Sequence, residues 1–252
     1  MPFKVEVSNL HKSFNGFKVI EKLSFNVEQG EFLCLVGPSR CGKTTLLRII
    51  LGLETPDSGK ILVDGKPVNL EKHRIGYVPQ DPTLLPWLSV YDNIALGLRI
   101  RGFPREEIKK QVEELMRLIK IEGFRDYYPH QLSGGMKAYV SIARALAINP
   151  DIILMDEPFV NLDAQTRNLL QAELIKLHEY AAKTIIFVTH NIEEAVFLAD
   201  RILVLTKRPA RIKRNISMDM PRPRNRYSEE FIKIRESIEE LIKEEFEVEF
   251  KA

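Results

Sequence analysis

Apolar and polar positions change period along the chain. The first part reads as short strands and turns. Val5–Val7, Lys18–Ile20 and Leu23–Val27 alternate or cluster β-forming residues, with Asn15-Gly16 as a turn signal between them. Gln29-Gly30 introduces Phe32–Val36, a continuous apolar run that suits a strand buried on both faces. Pro56-Asp57-Ser58-Gly59 and Asp64-Gly65 bracket a further short strand, Lys60–Val63. In the middle third the period becomes helical: over Arg105–Lys120 the apolar residues Ile108, Val112, Leu115, Met116 and Ile119 recur on one face. Gly102-Phe103-Pro104 and Gly123 delimit that insert, and Met136–Ile148 has helical composition too. From Asp151 strands and helices alternate as in a parallel sheet. They are Ile152–Met155, helix Gln165–Tyr180, strand Thr184–Thr189, helix Ile192–Ala199 and strand Arg201–Leu205.

After Leu205 the texture shifts again. Lys207–Arg226 holds eight basic residues, one acidic residue and three prolines, which reads as a linker or a solvated strand edge rather than a membrane-binding patch. Ser228–Phe246 predicts an amphipathic helix with Phe231, Ile234, Ile238, Leu241 and Ile242 on one face. Such a stripe packs on its own domain, with a subunit contact as the alternative. No internal repeat or low-complexity tract interrupts the chain.

Composition narrows the classes. The 252 residues suffice for one large α/β domain or a domain with a small appendage. The 37 basic residues nearly balance 35 acidic ones, so the formal charge of +2 leaves no electrostatic footprint for nucleic acid. No apolar run approaches the roughly 18 residues of a membrane span, and the N-terminus has no signal-peptide core. Cys34 and Cys41 make neither a disulfide scaffold nor a metal-ligand spacing, which points to a reduced compartment. The expectation is a cytoplasmic chain that serves a membrane, if at all, through a partner.

The candidate chemistry begins at Gly37-Pro38-Ser39-Arg40-Cys41-Gly42-Lys43-Thr44, which matches G-x-x-x-x-G-K-[ST]. It follows the strand Phe32–Val36 and opens a helix over Thr44–Leu51, so loop N–H groups and the helix N-terminus form an anion cradle. Lys43 is expected on the β- and γ-phosphates, and the Thr44 hydroxyl on Mg²⁺. Cys41, inside the loop near a helix start, is expected to have a lowered thiol pKa and to be open to alkylation. Ile152–Met155 leads into Asp156-Glu157. Successive strand side chains point to opposite sides, so Asp156 is assigned to Mg²⁺ and Glu157 to general base. Without the phosphate loop, two solvated carboxylates starting a turn at Pro158 would be the simpler reading. His190, at a strand end before a helix, is either structural or part of the ligand edge of the sheet. Gln80 carries no signal of its own.

Leu132-Ser133-Gly134-Gly135-Met136 is by itself only a Gly-rich helix start. Together with the other motifs it resembles the ABC ATPase family over about residues 3 to 220. The family's order is an N-terminal aromatic, Walker A, a Q-loop, the signature, Walker B, a D-loop and a switch histidine. It is matched here by Phe14, Gly37–Thr45, Gln80, Leu132–Met136, Ile152–Glu157, Asn161-Leu162-Asp163 and His190. The resemblance implies an α/β P-loop NTPase core with a mostly parallel sheet, an N-terminal antiparallel β subdomain and a helical subdomain carrying the signature. It implies that residues 37–45, Thr45 included, bind ATP, that Phe14 stacks on adenine, and that Gln80 touches Mg²⁺ and relays to a membrane subunit. His190 would meet the γ-phosphate, and Ser133 with the Gly134-Gly135 backbone would complete the site of a second copy, giving a homodimer. The expected layout is an ATPase domain over 1–220, its helical part about 88–148, and a C-terminal linker and helix over 221–252.

Longer stretches narrow the resemblance. Leu84–Trp87, Tyr128–Met136, Asp163–Arg167 and Asn191–Val196 look like the nitrate, sulfonate and taurine importer ATPases, a group that includes ATPases proposed for thiamine-precursor uptake. That implies permease subunits, an indirect solute-binding protein outside the membrane, and a place on its cytoplasmic face. Departures are Arg40 for a near-invariant glycine, Met136 for glutamine, Lys137-Ala138-Tyr139, and Asn161. If position 40 needs a positive φ, arginine costs about 1–2 kcal/mol there. Two further readings remain: a soluble ABC-type ATPase outside transport, and a nucleotide-dependent binding module with little hydrolysis.

Overall fold

Alternation of apolar and polar residues builds the first strands. The computed structural model describes residues 3–70 and 72–247, and the chain divides into two compact units, Met1–His73 with Ala182–Ala252, and Arg74–Ala181. In the first unit, β1 (Val5–Phe14) buries Val5, Val7 and Leu10 and pairs antiparallel with β2 (Phe17–Val27), from Val5↔Val27 to Phe14↔Phe17. Asn15 (φ 48°) and Gly16 (φ 82°) join them with the two positive φ values that a tight twisted hairpin needs. β3 (Phe32–Val36) has no exposed residue, which its unbroken apolar run requires. α1 (Lys43–Ile50) follows it, then β4 (Ser58–Val63), antiparallel to β1, and the short β5 (Lys66–Pro67).

The second unit opens on β6 (Ile75–Val78), then α2 (Val90–Ile100), α3 (Arg105–Leu118), α4 (Gly134–Ala147), β7 (Ile152–Asp156) and α5 (Ala164–Ala181). β6 and β7 run parallel, Ile75↔Ile152 to Val78↔Met155. Ile94 and Leu98 of α2, Val112 and Met116 of α3, and Val140 and Ala143 of α4 share one apolar cluster. Burying each of the larger of these side chains is worth roughly 1.5–3 kcal/mol, which holds the three amphipathic helices together. The periodicity of α3 predicts it, but α2 has no such expectation: Asn93 and Gly97 interrupt its apolar pattern. Its start was readable in Ser89-x-x-Asp92, since Ser89 Oγ accepts the Asp92 N–H at 3.1 Å as an N-cap.

The chain returns to the first unit with β8 (Thr184–Thr189), α6 (Ile192–Leu198), β9 (Arg201–Leu205), β10 (Ile212–Ser217) and α7 (Glu229–Glu247). β3 lies between β8 and β9, parallel to both, and β10 pairs antiparallel with β9. The basic stretch 207–226 therefore contains an edge strand. α7 buries Phe231 and Ile238 and packs against α6 and β9. Lys213 of β10 reaches Glu245 at 2.6 Å and Glu244 at 2.9 Å. The amphipathic stripe thus serves its own unit.

Candidate functional site

The phosphate loop occupies the turn between β3 and α1. An α-helix cannot pair its first-turn N–H groups internally, and Gly42 at the N-cap has no side chain to cap them. Gly42 has φ 124°, and a Cβ there would lie 3.1 Å from both the Val19 carbonyl and its Cγ1, so glycine alone lets the loop lie on β2. Lys43 is buried, and its ammonium donates to the carbonyls of Gly37 (2.9 Å) and Pro38 (2.8 Å). Thr44 is exposed at the helix start and Thr45 half-exposed. Arg40 does have a positive φ, 62°, so the strain of a non-glycine residue applies. Its side chain is exposed, and its carbonyl accepts an N–H of Arg208 at 3.0 Å.

Cys41 corrects one expectation. The thiol is buried at 1% exposure, and that burial raises its pKa above the ordinary value, outweighing the lowering effect of Lys43. Desolvation of a thiolate costs more than a helix start and one ammonium return here, so Cys41 is not the activated, accessible thiol its position in the motif suggests.

Two further residues of the first unit flank the loop in sequence. Phe14 stands at the β1–β2 turn, 42% exposed, with the Lys12 ammonium 4.7 Å from its ring centre. Lys12 is itself held by Glu54 (2.7 Å) and the Thr55 carbonyl (2.7 Å), so the ring is steadied by a fixed cation. His190 is exposed between β8 and α6. On either side of it, Thr189 Oγ1 donates to the buried Glu194 (2.7 Å) and accepts the Asn191 N–H (2.9 Å), while Asn191 caps α6 by accepting the Glu194 N–H (3.3 Å).

The second unit carries the carboxylates and the signature. Asp156 ends β7 at 2% exposure, and Glu157 follows half-buried with φ 46°. The left-handed conformation of Glu157 is strained for a non-glycine residue, and such strain concentrates at functional positions. Ser133 is the N-cap of α4, its Oγ accepting the Met136 N–H at 3.3 Å. Ser133 and Gly134 are exposed, while Leu132 is buried and Met136 packs on the helical cluster. That apolar contact accounts for a methionine at this position. Asp163 caps α5 by accepting the Thr166 N–H at 2.9 Å, and this bond holds its carboxyl below the usual range.

The signature helix start and the first turn of α5, just after the D-loop, meet directly. A Cβ on Gly135 would lie 2.4 Å from Thr166 Cγ2. Gly135→Ala therefore overpacks the contact at a cost of about 1–3 kcal/mol, more than the roughly 0.5–1 kcal/mol that alanine adds to a helix. The expected result is a melting temperature lower by several degrees together with reduced ATP hydrolysis. Adding Thr166→Ser, which removes that methyl, should recover both; a double variant no better than Gly135→Ala alone would contradict the contact. Thermal melts and phosphate-release assays read the two effects.

Gln80 is exposed after β6, and the segment behind it is fixed from two sides. Arg144 of α4 donates to the carbonyls of Pro82 (2.8 Å) and Thr83 (3.0 Å). Asn93, fully buried in α2, accepts the Leu85 N–H (2.9 Å) and donates to the carbonyls of Leu88 (3.0 Å) and Ser89 (3.0 Å). Trp87 protrudes from this loop at 70% exposure. Neither Arg144 nor Asn93 stands out in the sequence: Arg144 acts on backbone atoms 61 and 62 positions away, and Asn93, though its partners are near, sits as a polar residue inside a helix with no motif around it.

Comparison with known proteins agrees with these features. A family model described as "ABC transporter" matches residues 20–160. The chain is 48% identical over 249 residues, 97% of its length and 93% of the relative's, to an uncharacterized ABC transporter ATP-binding protein of Methanocaldococcus jannaschii. It is 40% identical over 234 residues, 92% of each chain, to the aliphatic sulfonates import ATP-binding protein SsuB of Bacillus cereus. Among solved structures, a dimeric post-hydrolysis ATP-binding cassette bound to ADP and Pi superposes with a TM-score of 0.77 at 32% identity, covering 86% of this chain and all of that one. Phosphate loop, signature, Walker carboxylates and these relatives agree: the chain belongs to the ABC transporter family, as an ATP-hydrolysing, ATP-binding subunit.

Proposed function

We propose that this subunit is the motor of an importer for a small solute, a nitrate-, sulfonate- or taurine-like anion or a thiamine precursor. The observation that carries the reading is the Pro82–Ser89 loop. It presents an exposed indole while its backbone is tied to the signature helix through Arg144 and to α2 through Asn93. A loop held this rigidly moves with the signature helix, which suits it to press on a membrane permease. The name of the sulfonate-import relative supports the solute class. Among the described residues no helix is long and apolar enough to cross a membrane. The reading places the chain on the cytoplasmic face, with permease subunits as partners and a solute-binding protein acting through them from outside.

In this reading Phe14 stacks on adenine, residues 37–45 hold the phosphates, and Lys43 neutralises the β- and γ-phosphates. Among the described residues no cluster of three or more His, Cys, Asp or Glu is arranged to hold a metal. Mg²⁺ does not require one, being commonly held by one or two carboxylates together with substrate phosphates. Thr44, Gln80 and Asp156 are its proposed ligands, and when bound it supplies charge neutralisation on the phosphate oxygens. Glu157 takes the proton of the attacking water, and His190 steadies the γ-phosphate. Leu132–Met136 of a second copy completes the site, with Asp163 beside it, so that two chains bind two ATP molecules.

The test is to purify the chain with its membrane partners, reconstitute them in vesicles and measure ATP hydrolysis with each candidate anion and its binding protein. One solute should raise hydrolysis several-fold. A chain absent from membrane fractions, with hydrolysis indifferent to every solute, would overturn the motor assignment.

A further inference from the structure

The basic stretch after β9 does more than supply an edge strand. A helix leaves its last carbonyls without internal partners. In α6 the Ala199 N–H takes the Ala195 carbonyl, leaving those of Val196, Phe197, Leu198 and Ala199. Every one of these four receives an arginine. Arg224, only 6% exposed, donates through one Nη to Val196 (2.8 Å), Ala199 (2.6 Å) and, more weakly, Phe197 (3.4 Å), and through Nε to Met220 (3.0 Å). Arg222 donates to the Leu198 carbonyl and lies 2.7 Å from Asp200. Asp200 in turn is bound to β3, accepting the Phe32 N–H at 2.9 Å. Burial and the Arg222 charge push the Arg224 guanidinium down to about 10, which leaves it charged at neutral pH. The negative end of a helix dipole is where such a buried cation is best tolerated.

Arg226 works at the other end of the same helix. It pairs with Glu193 in the first turn, and its guanidinium lies 3.9 Å from the Phe197 ring centre. α6 is thereby gripped along its length. The residue three positions before Glu193 is His190, whose two chain neighbours, Thr189 and Asn191, are hydrogen-bonded to each other and to Glu194 at the helix start.

We propose that Arg222, Arg224 and Arg226 form a clasp that sets the position of α6 and, through it, of His190, making them positioning residues for the hydrolytic step. The inference rests on the reading of His190 as the group that steadies the γ-phosphate. It gives the basic, proline-rich stretch a task within the motor instead of that of a linker.

The test uses Arg226, whose loss spares the buried cap, with Arg224→Lys as the deeper variant. Arg226→Met should lower single-turnover hydrolysis about tenfold or more, since small displacements of positioning groups carry effects of that order, while the KM for ATP stays unchanged. Arg226→Lys, which keeps the charge opposite Glu193, should recover part of the loss. In a His190→Ala background Arg226→Met should lower the rate no further, because both changes remove the same function. Parent-like hydrolysis in Arg226→Met beside an impaired His190→Ala would overturn the clasp alone. So would an equal loss in both backgrounds, which marks general destabilisation. If His190→Ala hydrolyses at the parent rate, the reading of His190 fails and the clasp's catalytic role with it. Thermal melts accompany each variant, and a folded Arg224→Lys chain with full activity would also contradict the proposal.

Discussion

Replacing Glu157 with glutamine is expected to lower ATP hydrolysis by about 10²–10⁴-fold, the usual worth of a positioned general base, while ATP binding survives. The amide has the size of the carboxylate and similar hydrogen-bonding reach, but it cannot take a proton. The backbone argues that this side chain is placed deliberately. Glu157 has φ 46°, a left-handed conformation that non-glycine residues avoid, directly after the buried end of β7. Strain of roughly 1–3 kcal/mol persists only where the surroundings enforce it. A chain that binds but does not hydrolyse should also accumulate as an ATP-bound dimer. Phosphate release and size-exclusion chromatography with ATP measure the two outcomes. Hydrolysis at the parent rate would remove Glu157 from the role of base.

Lys43→Ala should abolish useful ATP affinity, raising the Kd at least 100-fold. The ammonium is buried at 4% exposure and makes two short bonds to the Gly37 and Pro38 carbonyls. Charge-assisted bonds from this ammonium to phosphate oxygens would contribute about 1.5–3 kcal/mol each, and at about 1.4 kcal/mol per tenfold change in Kd two of them account for the expected loss. In the proposed role, losing the lysine would deprive the phosphates of their cation, and it also leaves the loop's own carbonyls short of a donor. Lys43→Arg should not recover binding, because a planar five-donor fork does not fit where a compact ammonium is enclosed. Titration with a fluorescent ATP analogue reads the Kd; a value near the parent's in either variant would contradict this account.

Where a residue's conformation is set by its neighbours in the chain, the order of residues was enough to find it. The apolar run Phe32–Val36, the glycines and Lys43 after it, and the pair Asp156-Glu157 after Ile152–Met155 each carry strand, turn and chemistry within a few positions. The same holds for the hairpin at Asn15-Gly16 and the stripe of α7. Other features hid because a polar or small residue breaks the apolar pattern for a reason only the folded contacts show. α2 escapes the periodicity because Asn93 spends its side chain on the Leu85–Ser89 backbone and Gly97 makes room for Ile148, whose Cγ2 lies 2.7 Å from where a Cβ would stand.

Motif position also misleads when burial is invisible. Cys41 sits where a thiol ought to be activated, yet its surroundings desolvate it, and only the packing of the loop reveals which effect is larger. Position 40 shows the reverse: the sequence poses the question of a positive φ, and the backbone answers it.

Local order thus established the phosphate loop, the carboxylate pair and the alternating α/β pattern, since hydrogen bonding and side-chain period act over a few residues. It could not establish that Gly135 must be glycine to clear Thr166, or that Arg144 anchors the loop behind Gln80. Nor could it show that Arg222, Arg224 and Arg226 grip α6. Those depend on groups that sequence places between 24 and 62 residues apart and that only folding brings within hydrogen-bond or van der Waals distance.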